Sequence, residues 1–146
     1  MSSHRHSHFP SLTEFIHGAE LAFLTGDDAV FEAAMAKDVA PEAQGENIAT
    51  REHLNHAAFR KMVLTLRSDF TNRVIVSESF VVATPRDPTE KTGAVGFTHV
   101  FTGVKAGANV SVTVAAVLRV NWVEDRAHPH GGHRQIVAEA FVMNMS

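Results

Sequence analysis

Up to about residue 67 the apolar positions recur at helical spacing, with a break near residues 38–50, and from residue 70 onward they alternate. Helices are therefore predicted first and strands after. In "SLTEFIHGAELAFLTG", Ser11 and Glu14 stand in capping-box spacing, Phe15, Ala19, Ala22 and Phe23 make one stripe, and Gly26 ends the helix. Asp27 or Asp28 then caps a second helix, "AVFEAAMAK", with Val30, Phe31, Ala34 and Met35 on its apolar side. Pro41 and Gly45 break "DVAPEAQGENIAT", which predicts at most two very short strands or a loop. The spacing of Leu54, Ala58, Met62 and Leu66 predicts a third helix over "TREHLNHAAFRKMVLTLR", capped by Thr50. Four runs with a period of two follow: "FTNRVIVSESFVVAT", "GAVGFTHVFTGV", "NVSVTVAAVLRVNWV" and "RQIVAEAFVMNM". The turn-rich segments "PRDPTEK", "KAGA" and "EDRAHPHGGH" separate them, so they read as an antiparallel meander. The expected architecture is α+β, three N-terminal helices packed on a curved antiparallel sheet of four long strands.

The strand period also picks out side chains in unexpected company. If the "KAGA" turn lets Val104 pair with Asn109, His99 faces Val114, and one face carries Phe97, His99, Phe101, Val112, Val114, Ala116, Leu118, Val120 and Trp122. His99 is the only ionisable group on that face. Arg119 lies on the other, and a bulge in the strand over residues 109–123 would bring it inward. Glu78 falls with Val74, Val76, Phe80 and Val82, and Glu139 with Val137, Phe141, Met143 and Met145. The opposite face of Glu139's strand, Ile136, Ala138, Ala140 and Val142, is just as apolar. An unpaired carboxylate stripped of water is costly, so such an acid pairs, stays protonated or borders a wet cavity.

Composition narrows the possibilities. The 146 residues suit one domain, expected over 11–146 behind a disordered His-rich tail at 1–10. Hydrophobic residues make up 45% and charged ones 20%, a balance that excludes a disordered or membrane-spanning chain. Cysteine is absent, "MSSHRHSHFP" has no apolar leader, and no run reaches membrane-spanning length, so a cytoplasmic protein is expected. A net charge of -3 with scattered basic residues argues against nucleic acid as a partner. Six of the ten histidines lie in the tail (His4, His6, His8) and in "HPHGGH" (His128, His130, His133). Such clusters can take up a transition metal, but without a rigid, closed ligand spacing they read as a tail and a polar loop, and no metal site is assigned. There is no phosphate loop or nucleophile elbow either, so the expected chemistry is cofactor-independent proton transfer.

The order helix, helix, broken segment, helix and four long strands resembles the nuclear transport factor 2-like superfamily, in particular its SnoaL-like branch. Locally, Gly26 and Asp27 between the first helices, Asp38 and Val39 after the second, and Gly45 before the third match that branch's loose pattern. The resemblance covers nearly the whole chain. It implies a cone-shaped half-barrel with an apolar pocket between sheet and helices, often dimeric through the outer sheet face. Relatives include isomerases, cyclases, dehydratases and epoxide hydrolases, and also catalytically inert binding subunits. Two departures stand out. Only six residues separate Asp38 from Gly45, which leaves little room for the hairpin where steroid isomerases of the superfamily keep their carboxylate base, and Glu42 is not given that role. The chain also has no tyrosine, so no phenol donor is available.

From residues and resemblance together, the expectation is an isomerase, cyclase or dehydratase for a bulky apolar oxygenated small molecule of polyketide or terpenoid type, as in secondary metabolite biosynthesis. His99 is the expected general base or acid, with Glu139 or Glu78 as its partner. Phe15, Phe23, Phe59, Met62, Phe97, Phe101 and Trp122 are expected on the pocket wall, with His17 at the mouth and Arg119 in reserve. The alternative is a non-catalytic ligand-binding or dimerisation module with the same fold. An open pocket holding His99 beside an acid favours the enzyme, and a solidly packed one favours the module. The outer row Ile136, Ala138, Ala140 and Val142 beside Thr113, Ala115 and Val117 leads to the expectation of a homodimer.

Overall fold

A computed structural model describes residues 9–84 and 87–146. Most of the expected tail, residues 1–8, thus lies outside the described residues. Among the described residues there are three helices and six strands, in the order α1 (Leu12–Leu24), α2 (Asp28–Asp38), β1 (Val39–Asn47), β2 (Glu52–Asn55), α3 (His56–Asp69), β3 (Thr71–Ala83), β4 (Gly93–Lys105), β5 (Ala108–Glu124) and β6 (Gly132–Met145). The strands form one sheet, β2-β1-β6-β5-β4-β3, with helices on its inner face. The sheet is open and mostly antiparallel, since β1 runs parallel to β6.

The four long strands stand where the alternation placed them, but the sheet has six strands, not four. "DVAPEAQGENIAT" contains β1, a nine-residue strand. Pro41, which lacks an N–H, falls in the irregular stretch between the pairs Val39↔Ile136 and Gln44↔Ala138, where its missing donor breaks no ladder bond. The third helix starts at His56, not near Thr50. Residues 52–55 pair with β1, and Asn55 caps the helix by accepting from the Ala58 N–H at 2.9 Å. Tertiary pairing overrode helical spacing there.

The helix stripes are rotated from the sequence reading. In α1 the buried residues are Leu12, Ile16, Ala19, Glu20, Phe23 and Leu24, with Phe15 and Ala22 at the flanks. In α2 they are Phe31, Ala34 and Met35, while Val30 is exposed. Arg73 locks the helix ends together, its guanidinium donating to the carbonyls of Leu24, Arg67 and Phe70. Those carbonyls lie at the ends of α1 and α3, where no intrahelical donor remains.

Registers in the sheet decide which way each side chain faces. The expected β4–β5 register holds, with Val104 opposite Asn109 and His99 opposite Val114. Bulges in β3 and β6 change the rest. In β3, Ile75 pairs with Phe101 and Ser77 with Val100, so the extra residue Val76 shifts the phase. Ile75 therefore lies inward, while Val74 and Val76 are exposed and do not share Glu78's face. In β6, Ile136 and Ala138 pair with neighbouring residues of β5, leaving Val137 extra. Ile136 is accordingly buried in the core and does not join Ala138, Ala140 and Val142 outside.

The β5–β6 connection depends on two adjacent glycines. Gly131 has φ +78, and a Cβ on Gly132 would stand 2.3 Å from the Val123 carbonyl and 2.7 Å from the Trp122 ring. Gly132→Ala is expected to destabilise the fold by roughly 2 kcal/mol, the scale of an overpacked site. Urea unfolding checks it; an unchanged midpoint would mean that the connection yields freely.

Candidate functional site

Phe97, His99 and Phe101 project inward from β4, Val114 from β5, and Glu139, Phe141 and Met143 from β6. With α1 and α3 they enclose a cavity that also touches Glu20, Phe23, Phe59 and Met62. Glu20 sits in the buried stripe of α1, four residues after Ile16 and four before Leu24, so the packing of those two side chains aims it at the sheet. Glu20 is 9% exposed and His99 3%. The His99 Nδ1 stands 3.9 Å from the Glu20 carboxyl, too far for a direct hydrogen bond but close enough for one oxygen set to the side to meet both. That Nδ1 is buried without a hydrogen-bond partner among the described residues. Glu78 lies directly opposite His99 in the β3–β4 ladder, bonded through one oxygen to His17 Nδ1, while its other oxygen is unpartnered among the described residues.

Burial sets the protonation of these groups. Desolvation lowers His99 to about 4, so its imidazole is neutral at physiological pH. Desolvation raises Glu139 to about 7, where it titrates near neutrality. Glu20 is pushed well above the usual carboxylate range, first by burial and then by the charges of Glu139 and Glu78. The charge of Glu139 thus favours the protonated form of Glu20. The site offers two carboxyl groups raised by burial and a neutral imidazole, all facing one apolar wall.

No family model and no curated protein matches the sequence. Solved structures do match. An NTF-2 like protein of unknown function from Pseudomonas aeruginosa superposes with a TM-score of 0.52 at 10% identity, covering 91% of this chain and 94% of that one. The fold is NTF2-like. A second NTF2-like match is the CaMKII hub of S. rosetta, with a TM-score of 0.58, 17% identity, and coverage of 96% and 99%. A third is a candidate SnoaL-like polyketide cyclase from Shewanella putrefaciens CN-32, with a TM-score of 0.50, 9% identity, and coverage of 93% and 91%. The NTF2-like fold is thus shared by a protein named as a cyclase and by a hub, and at these identities the likeness shows the fold alone.

Within this NTF2-like frame, Phe23, Phe59, Met62, Phe97 and Phe101 line the cavity beside His99 and Glu139. Five other expected site residues do not, Glu78 in the neighbouring ladder position among them. Arg119 faces outward and is exposed, because the bulge lies in β6 and β5 keeps its alternation through Leu118 and Val120. Phe15 and Trp122 line a separate cavity at the far end of the sheet, beyond Val120. His17 is 46% exposed on the flank of α1 and meets Glu78 without lining the central cavity. Sequence reasoning missed Glu20. The signal was available: the test that found Glu78 and Glu139, a lone acid in an apolar row, also finds Glu20 once Leu12, Ile16, Ala19, Phe23 and Leu24 are taken as the stripe. Among the described residues no group of three or more histidines and acids is placed to hold a metal ion, and no helix is long and apolar enough to cross a membrane.

Proposed function

We propose that this protein is a cofactor-independent acid–base enzyme, an isomerase, cyclase or dehydratase, acting on a bulky apolar oxygenated molecule of polyketide or terpenoid type. The observation that carries this reading is the convergence of Glu20, His99 and Glu139 on one apolar wall with their protonation pushed apart. Paired titratable groups held at different protonation levels are how a protein runs acid and base chemistry at one pH. The Glu139 carboxylate takes a proton from the carbon next to a substrate carbonyl, and protonated Glu20 donates to the carbonyl oxygen as it gains charge. Neutral His99, beside Glu20, hydrogen-bonds the same oxygen. The resulting enol can regain a proton elsewhere, attack a second carbonyl or expel a β-hydroxyl as water, giving isomerisation, cyclisation or dehydration. His99 is reassigned here from base to hydrogen-bonding partner, because an imidazole held near 4 is a weak base.

The competing reading, a non-catalytic module like a hub, draws on one observation. The cavity beside His99 has a volume of only about 40 Å³, little more than the share of one water in the liquid. A large substrate must displace Phe59, Met62 and Met143, which are partly exposed at its rim. Phe59 and Glu139 also border a neighbouring cavity against β1, so turning the Phe59 ring would join the two spaces. The deciding experiment incubates bulky cyclic ketones with the protein in D2O and follows deuterium uptake at the α-carbon by NMR. Uptake faster than in buffer, and lost in Glu139→Gln, is expected; no uptake with any ketone that binds favours the module.

We further propose a homodimer through the outer sheet face. The row Val81, Gly96, Val117 and Ala140 runs straight across β3, β4, β5 and β6, with Ser79, Thr98, Ala115 and Val142 beside it. Val81 and Val117 are well exposed there, and a flat apolar sheet face is suited to a second copy. Light scattering at micromolar concentration should give a dimer, and Val117→Lys a monomer. A wild-type monomer that persists as concentration rises would overturn this.

A further inference from the structure

A second cavity on the helix side of the sheet is larger than the one beside His99. Where the β5–β6 connection meets the end of α2 and the start of α1 lies a space of about 240 Å³. It collects residues that the proton-transfer site leaves unused: Trp122, and the histidines of "HPHGGH". Arg134 lies in its wall only 5% exposed, a bulge's length from where strict alternation would have put it. Its Nε donates to the Glu90 carbonyl at 2.9 Å, and its Nη2 is buried with no partner among the described residues. A guanidinium is not neutralised by burial in the way that a carboxyl is, so an unused N–H there is costly until an acceptor meets it.

The surroundings specify what kind of acceptor. The Arg134 guanidinium stacks 4.6 Å from the Phe9 ring centroid, and Lys91 Nζ stands 4.7 Å over the Trp122 ring. Phe9 meets Trp122 and His130 edge-on, at 5.7 and 5.2 Å between centroids. The walls are thus flat π-faces joined by cations. Lys37 adds a third positive charge, and the acid on the wall is Asp38, which burial raises to about 6. Glu90, Asp87 and Glu14 act on Arg134 through their charge, while their oxygens accept from other groups: Glu90 from the Leu12 N–H at 3.0 Å, Asp87 from Thr89 and Thr92, and Glu14 from the Ser11 N–H at 2.9 Å. We propose that this cavity binds a small aromatic carboxylate, its ring among Trp122, Phe9 and His130 and its carboxylate on Arg134 Nη2. The site is separate from the proton-transfer centre and does not rest on the function proposed for it.

Trp122 is the only tryptophan, so its indole N–H gives a single NMR resonance that reports on this cavity and no other. Titrating the full chain with benzoate at millimolar concentration should shift that resonance saturably. Benzylamine, which has the ring with the opposite charge, and inorganic phosphate, which has charge without a ring, should not. Arg134→Lys should weaken benzoate about tenfold, the scale of losing a planar charge-assisted pair. Lys37→Glu, on an exposed helix end, should weaken it about threefold by reversing one wall charge, and keeps the test open if Arg134→Lys does not fold. An unmoved indole resonance, equal response to benzylamine or phosphate, or unchanged affinity in the folded variants would overturn the proposal.

Discussion

Glu139→Gln should lower the rate of α-proton exchange by about a hundredfold or more while leaving the fold intact, the usual scale for losing a positioned base. The wild-type rate should rise with pH and level off above about 7, because Glu139 works as the ionised form. Glu20→Gln should cost a comparable factor, and the double variant should lose less than the product of the two, since the charge of Glu139 is part of what keeps Glu20 protonated. His99→Phe places a similar ring between Phe97 and Phe101 and removes the unpartnered Nδ1. It should fold and bind, yet turn over more slowly, with His99→Gln intermediate because an amide still hydrogen-bonds. Glu78→Gln should do little to the rate, as Glu78 already holds His17. A pH-independent rate in wild type, or full activity in Glu139→Gln, would remove Glu139 from the mechanism.

The same groups should dominate how stability depends on pH, with opposite signs. Glu139 is raised from 4.5 to about 7, so its contribution is undiminished below 4.5 and stability falls as pH rises to 7, by roughly 3 kcal/mol in all. His99 is lowered from 6.5 to about 4, so its contribution is full above 6.5 and is lost, again by roughly 3 kcal/mol, as pH falls to 4. Glu139→Gln should therefore be more stable than wild type on the alkaline side and similar to it near pH 4. His99→Phe should flatten the acid side instead. Urea unfolding across this range separates them. A less stable Glu139→Gln at alkaline pH would show that the carboxylate is a paired structural group. The expected result, a variant gaining stability as it loses activity, marks a group retained for chemistry.

The long strands, α2 and most of α1 were legible because period and capping are local: Ser11, Asp27 and the alternation over β3 to β6 act within a few residues. His99 and Glu139 were legible for a related reason, since an ionisable group in an apolar row is anomalous whatever it packs against. Glu20 was hidden by a stripe read one position off. Ile136 was misplaced because a one-residue bulge reverses every later side chain, and a bulge leaves no local signature in the apolar pattern; Arg119 lies outward as the alternation put it, because the bulge falls in β6. Residues 52–55 carry helical spacing, and only their pairing with β1 makes them a strand.

By itself the sequence thus determined the α+β order, the β4–β5 register through its "KAGA" turn, and two of the three ionisable groups on the pocket wall. Only the tertiary structure decided that α1 delivers Glu20 to within 3.9 Å of His99 and that Trp122 and the "HPHGGH" loop meet around Arg134. The reason is physical. Periodicity records which side of an element is buried, but the protonation of a buried acid depends on charges and solvent contributed by other elements, and those are set only when α1, α3 and β6 close over the same face.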